Sequence, residues 1–123
     1  MDFAPSPCPG LTEVLDELRR LELLFHTGHD AERLTAPAFW EVGASGRRYS
    51  REYVLDVLCD RAASTTPEVD WRAEEFFLVP AGTDHYLLTY TLHQPERVTR
   101  RLTVWQRSGG QWQAIYHQGT TVA

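Results

Sequence analysis

The sequence predicts an α+β domain in which N-terminal helices pack on a curved antiparallel sheet. Three observations carry this reading. Residues 11–26 and 51–62 repeat apolar side chains at the helical period. Residues 69–79, 85–93, 97–107 and 111–117 are dense in β-branched and aromatic side chains. The links between those four segments, 80–83, 94–96 and 108–110, are short and rich in Gly, Pro and Ser, which joins antiparallel neighbours in a meander.

The elements follow in chain order. Residues 1–10 carry Pro5, Pro7 and Pro9 and read as an irregular arm, with Phe3 expected to pack on the domain. In the helix at 11–26, Leu11, Leu15, Leu18, Leu21 or Glu22, and Phe25 share one face, with Arg19 and Arg20 on the far side. Thr12 is expected to cap its start, and Gly28 suits a left-handed end. Asp30 then caps a short turn through Leu34, closed by Ala36 and Pro37. Phe39–Val42 is a short strand candidate, and 43–46 (Gly-Ala-Ser-Gly) a turn. Ser50 stands where a cap belongs, with Glu52 in the first turn of the next helix, where the dipole favours an acid. That helix is expected to bury Val54, Leu55, Leu58 and Cys59, and residues 64–67 break it. In the strands, Tyr86, Leu88, Tyr90 and Leu92 share a face, as do Thr99, Thr103 and Trp105. Strict alternation sets Trp112, Ala114 and Tyr116 against Ile115 and His117, which leaves the orientation of His117 open. Both sheet faces are partly apolar, where a sheet with one wet face alternates cleanly. One face is expected to cover the helices and the other a second subunit.

Composition narrows the function classes. A chain of 123 residues fits one domain, expected over 11–123. It has 42% hydrophobic and 24% charged residues, as ordinary globular domains do. No apolar run is long enough to span a bilayer, and no signal peptide is visible, so the expectation is a cytoplasmic protein without membrane contact. A net charge of −5 disfavours a nucleic-acid partner, which calls for a basic face. Cys8 and Cys59 are too few for a disulfide framework.

The order of elements, together with the segments Phe39–Gly46, Arg51-Glu52, Arg101–Trp105 and His117–Thr120, resembles the nuclear transport factor 2-like superfamily. That group includes ketosteroid isomerases and SnoaL-like polyketide cyclases. The four segments are similar to the branch called domain of unknown function 4440, and the likeness covers about residues 11–121. It implies a cone-shaped α+β barrel, a pocket between sheet and helices, and a homodimer formed through the sheet. It does not imply one activity, because function on this superfold lies in the site.

Glu41 is the first candidate. It shares a strand face with the apolar Phe39, so it is expected at the pocket, where lost hydration raises a carboxyl pKa and suits it to general-base work. The isomerase-like enzymes place a catalytic aspartate in the corresponding strand. Alternatively, Glu41 hydrogen-bonds an arginine or Ser45 and only fixes the loop. His117 titrates near neutrality and pairs with Glu41 in a catalytic reading or satisfies the sheet end in a structural one. Phe39, Trp40, Tyr86, Tyr90, Trp105 and Tyr116 are the expected pocket lining, with hydroxyl and indole donors at an apolar cavity. Ser45, Arg47 and Arg51 form a polar turn beside a helix start, as anion ligands or as partners of nearby carboxylates. His26, His29 and Asp30 have too few donors for a metal site, Cys59 reads as core, and no cofactor motif is present. The expected function is binding of a small, partly apolar molecule without a cofactor. The alternatives are an isomerase, cyclase or hydratase using Glu41 as base with Tyr86, Tyr90 or His117 as donor, and a protein-interaction or immunity module using the sheet face.

Overall fold

The computed structural model describes residues 2–6, 10–64 and 70–123. Its elements are α1 (Thr12–His26), α2 (Ala31–Leu34), β1 (Thr35–Val42), β2 (Arg48–Ser50), α3 (Arg51–Ala63), β3 (Arg72–Pro80), β4 (His85–His93), β5 (Val98–Ser108) and β6 (Gln111–Thr121). The strands form one sheet in the order β2-β1-β6-β5-β4-β3. The meander β3–β6 is antiparallel throughout, as expected. β1, however, joins β6 in parallel, so the six-stranded sheet is mixed rather than purely antiparallel. It is open, with β2 and β3 at its edges.

α1 buries Leu18, Leu21, Glu22 and Phe25 against the concave face of the sheet. Thr12 lies inside this helix; Leu11 is its N-cap and provides no side-chain hydrogen bond. Gly28, at φ 89°, ends the helix through bonds from its own N–H to Phe25 O and from His29 N–H to Leu24 O, the two-bond C-terminal cap that a left-handed glycine permits. A Cβ at Gly28 would stand 2.2 Å from Leu58 O, so the glycine also lets α3 approach. Ser50 caps α3 by accepting from Tyr53 N at 3.2 Å. Ala36 and Pro37 fall within β1 and do not close the short helix.

Two side chains leave their expected places. Cys59 is exposed, because α3 turns only Val54 and Leu58 fully inward; Cys8 lies outside the described residues. Phe3 is 82% exposed, and the arm is held through Asp2, whose carboxylate lies 2.7 Å from Arg100 Nη2.

The core clusters Leu18, Leu34, Phe39, Leu58, Leu88, Leu92 and Trp105 between α1, α3 and the concave face. A bulge in β6 sets the order of that face. Val104 pairs with Tyr116, but Trp105 pairs with Ala114, so Ile115 is the extra residue. Alternation changes phase there. Ala114 and His117 are therefore both buried inward, while Tyr116 turns to the convex face.

Candidate functional site

A cavity of about 90 Å³ opens between α1, α3 and the concave face. Glu22 and His26 reach it from α1, Val54, Val57, Leu58 and Arg61 from α3, Glu41 from β1, Tyr90 from β4, Arg101 from β5 and His117 from β6. Four strands contribute because the inward phase brings their residues level: Tyr90 pairs with Arg101, Thr103 with His117, and His117 with Glu41.

Glu22 is the deepest charged group, at 1% exposure. Tyr90 Oη–H donates to its Oε2 at 2.7 Å, and Trp105 Nε1–H donates to its Oε1 at 3.0 Å. Thr103 supplies a further hydroxyl. Burial raises the Glu22 pKa, and these donors and Arg101 oppose the rise. A set composed of donors fits an accepting carboxylate.

His117 sits beside it, with Nδ1 2.7 Å from Thr103 Oγ1 and 3.8 Å from Glu22 Oε2. Arg101 Nη1 lies 3.5 Å from His117 Nε2. An arginine only donates, so Nε2 is the accepting nitrogen and Nδ1 carries the proton toward Thr103. Burial, then the Arg101 charge, lowers the His117 pKa to about 3. The ring is neutral at pH 7. His26 is lowered to about 4, chiefly by burial and then by Arg61, and its ring packs on Trp71 at 4.4 Å.

Glu41 differs from Glu22. Among the described residues it makes no hydrogen bond and no ion pair, although Arg101 and Arg61 act on it through space. Burial raises its pKa, and those two cations oppose the rise. Arg101 is anchored by Nε, which donates to Thr99 Oγ1 at 3.0 Å, and Arg61 by Nη1, which donates to His26 O at 2.7 Å. The unanchored Nη2 of Arg101 and the Glu41 carboxylate thus belong to one cavity.

The structure brings Glu41, His117 and Tyr90 together and separates them from the other expected residues. Phe39 is buried core, in edge contact with Phe25. Trp105 is fully buried and meets the site only through its indole N–H on Glu22. Tyr86 packs on Trp112 toward the other end of the sheet. Trp40 and Tyr116 face each other at 4.8 Å on the convex side, one residue out of phase with Glu41 and His117. In the polar turn, Ser45 accepts from Arg47 N, and both are exposed. Arg51 turns away, donating to Thr35 Oγ1 at 3.1 Å and Glu32 O at 3.1 Å, which ties α3 to the start of β1.

Glu22, Arg61 and Arg101 were not among the candidates. Glu22 had a signal: it follows Leu18 by four and precedes Phe25 by three, so a carboxylate occupies the apolar stripe. His26 and His29 part ways, His26 to the cavity and His29 to Thr27 at the surface. Metal-type donors do converge elsewhere, as Glu74, Glu75 and His93 lie within 4.8 Å of one another. Arg72 and Arg100 pair with those two carboxylates at 3.2 and 3.3 Å, so the group is an ion-pair patch.

The backbone likeness to solved structures is extensive. An NTF2-like protein from Cytophaga hutchinsonii aligns with TM-score 0.69 and 16% identity, over 94% of this chain and 100% of its own. The chain has the NTF2-like fold. A protein of unknown function of the DUF3225 family, from Pectobacterium atrosepticum, aligns at 0.67 and 16% identity, over 92% and 91%. The hub homology domain of CaMKII from Chlamydomonas reinhardtii aligns at 0.66 and 14%, over 94% and 100%. At such identities the NTF2-like fold is what is shared, and the site must be argued from its own residues. No family model matches the chain, and comparison with curated proteins finds no match.

Proposed function

We propose that the chain is a binding domain for a small, partly apolar molecule held in the cavity between α1, α3 and the sheet. The observation that carries this is the division of labour among its polar groups. Glu22, Thr103 and His117 are bound to one another or to Tyr90 and Trp105, whereas Glu41 and one arm of Arg101 are held in place with no protein partner among the described residues. Val54, Val57, Leu58 and Phe25 give the same cavity an apolar wall, the mixture typical of ligand sites. Native mass spectrometry of the purified protein, with a thermal-shift screen of small metabolites, tests the reading. Stabilisation by a compound in the wild type that disappears in Val57→Trp, which fills the mouth, supports it. Equal stabilisation of both proteins refutes it.

One observation favours a catalytic version. Glu41 is partly desolvated and unpaired, with its pKa raised, the state a general base needs. Tyr90 is committed to Glu22 and the one N–H of neutral His117 to Thr103, which leaves Arg101 as the group to face a developing oxyanion. Turnover lost in Glu41→Gln with binding kept is the mark of that version.

We also propose that the convex face meets a second copy of the chain. Trp40 is 43% and Val79 52% exposed there. The chain exposes 7910 Å², against about 6,700 Å² for a compact monomer of its mass. Sedimentation of the wild type and of Trp40→Glu decides this, a monomer in both cases refuting it.

A further inference from the structure

We infer that the cavity selects a small neutral molecule that carries a hydrogen-bond acceptor beside a donor, a primary carboxamide being the simplest example. This rests on the reading that the cavity binds a small molecule, and it assigns the chemical class. The argument starts from charge. One cavity is lined by two acids, Glu22 and Glu41, and two guanidinium groups, Arg101 and Arg61; Arg101 acts on both acids and Arg61 on Glu41. Acids and guanidinium groups thus line the chamber in equal number, and both histidines are neutral. A ligand bearing a net charge would leave that charge uncompensated in a partly desolvated chamber, which is costly.

The open valences specify the rest. Arg101 has spent Nε on Thr99 and directs Nη1 at His117, so Nη2 remains to donate to a carbonyl oxygen. A carboxylate at Glu41 accepts at both oxygens, and no protein donor serves it among the described residues. One molecule spanning the two must therefore accept at one end and donate at the other. Size agrees: 90 Å³ holds about three waters' worth of volume, or one small polar head. Any tail would leave past Val57 and Tyr53, which line the cavity from α3 and are themselves exposed.

The test is a nuclear magnetic resonance titration of the whole chain at pH 7 with acetamide, acetate and acetone, read at the Trp105 indole N–H and the Glu41 and His117 amides. Acetamide is expected to shift these signals saturably, with acetate and acetone at least tenfold weaker. Glu41→Met should lose at least tenfold in acetamide affinity while acetone binding stays unchanged, a pattern that general damage to the fold would not produce. Acetate binding as tightly as acetamide would overturn the neutral class and leave the cavity as a binding site. Acetone matching acetamide would overturn the role given to Glu41. Saturable shifts from none of the three would overturn both this class and the binding reading beneath it.

Discussion

Tyr90→Phe isolates one interaction and has a calculable cost. The ring stays in place, stacked on Phe76 at 4.9 Å and 13°, so packing is kept and only the hydroxyl is removed. That hydroxyl donates to Glu22 at 2.7 Å, and Glu22 is 1% exposed. A hydrogen bond to a charged buried group contributes roughly 1.5–3 kcal/mol, against about 0.5–1.5 kcal/mol when both partners are neutral. The expected loss at pH 7 is therefore about 2 kcal/mol. With a urea m-value of about 1.5–2 kcal/mol/M for a chain of this size, the midpoint should fall by roughly 1 M with m unchanged. The sign against pH follows from linkage. Burial raises the Glu22 pKa in the folded state, so the folded protein takes up this proton first as pH falls. The mutant's deficit should shrink on acidification, because the lost partner is then an acid rather than an anion. A loss below about 1 kcal/mol at pH 7, independent of pH, would refute the view of Glu22 as a carboxylate held by donors.

Other predictions follow from the same geometry. His117 and His26 are neutral in the folded state, lowered to about 3 and about 4, while unfolded histidine titrates near 6.5, so wild-type stability should decline as pH falls from about 6.5 toward those values; His117→Gln should flatten that slope in urea titrations, and an unchanged slope would count against a buried neutral ring. Glu41→Gln, which removes a desolvated charge without breaking a hydrogen bond, should leave the urea midpoint at pH 7 equal or higher; a loss above about 1 kcal/mol would reveal a structural anchor. Arg51→Met should cost about 1–2 kcal/mol through the two lost bonds to Thr35 and Glu32, measurable by thermal melting. Gly28→Ala meets both a left-handed backbone and a carbonyl 2.2 Å away, so it should cost more stability than the roughly 1 kcal/mol of strain alone, read as a lowered melting temperature.

The sheet meander and both long helices were legible because local chemistry decides them: apolar period, Ser50 as a cap, Gly28 as a stop. The parallel β1–β6 pairing was not, since nothing within residues 35–42 names a partner some 80 positions away. Glu41 was legible for a simple reason: it lies two residues from Phe39 on a strand that stays in phase between them. His117 was not, because its direction depends on the extra residue Ile115 rather than on its own neighbours. Arg101 and Arg61 escaped notice because arginines on a strand and at a helix end look like solvent-facing charges until the cavity between them is known. Glu22 was visible as a misfit in the α1 stripe, and the misfit marked the centre of the polar network.

The extra residue in β6 also divides that strand into two territories with different tolerances. Below it, Ala114 keeps company with Trp105 and Trp112 in an apolar plug. Beyond it, His117 and the residues paired with it supply polar chemistry. Because the plug and the chamber read the strand in opposite numerical phase, their inward positions can change independently, as long as Ile115 stays outside the ladder. Deleting Ile115 would merge the two phases without turning either half: Ala114, Tyr116 and His117 would then alternate in, out, in, and the pairs Trp105–Ala114 and Val104–Tyr116 would become consecutive rungs of a regular ladder. What would turn the later residues is pairing Ile115 into the ladder instead of bulging it, so two chains with this fold could match residue for residue and yet present opposite faces after Ala114.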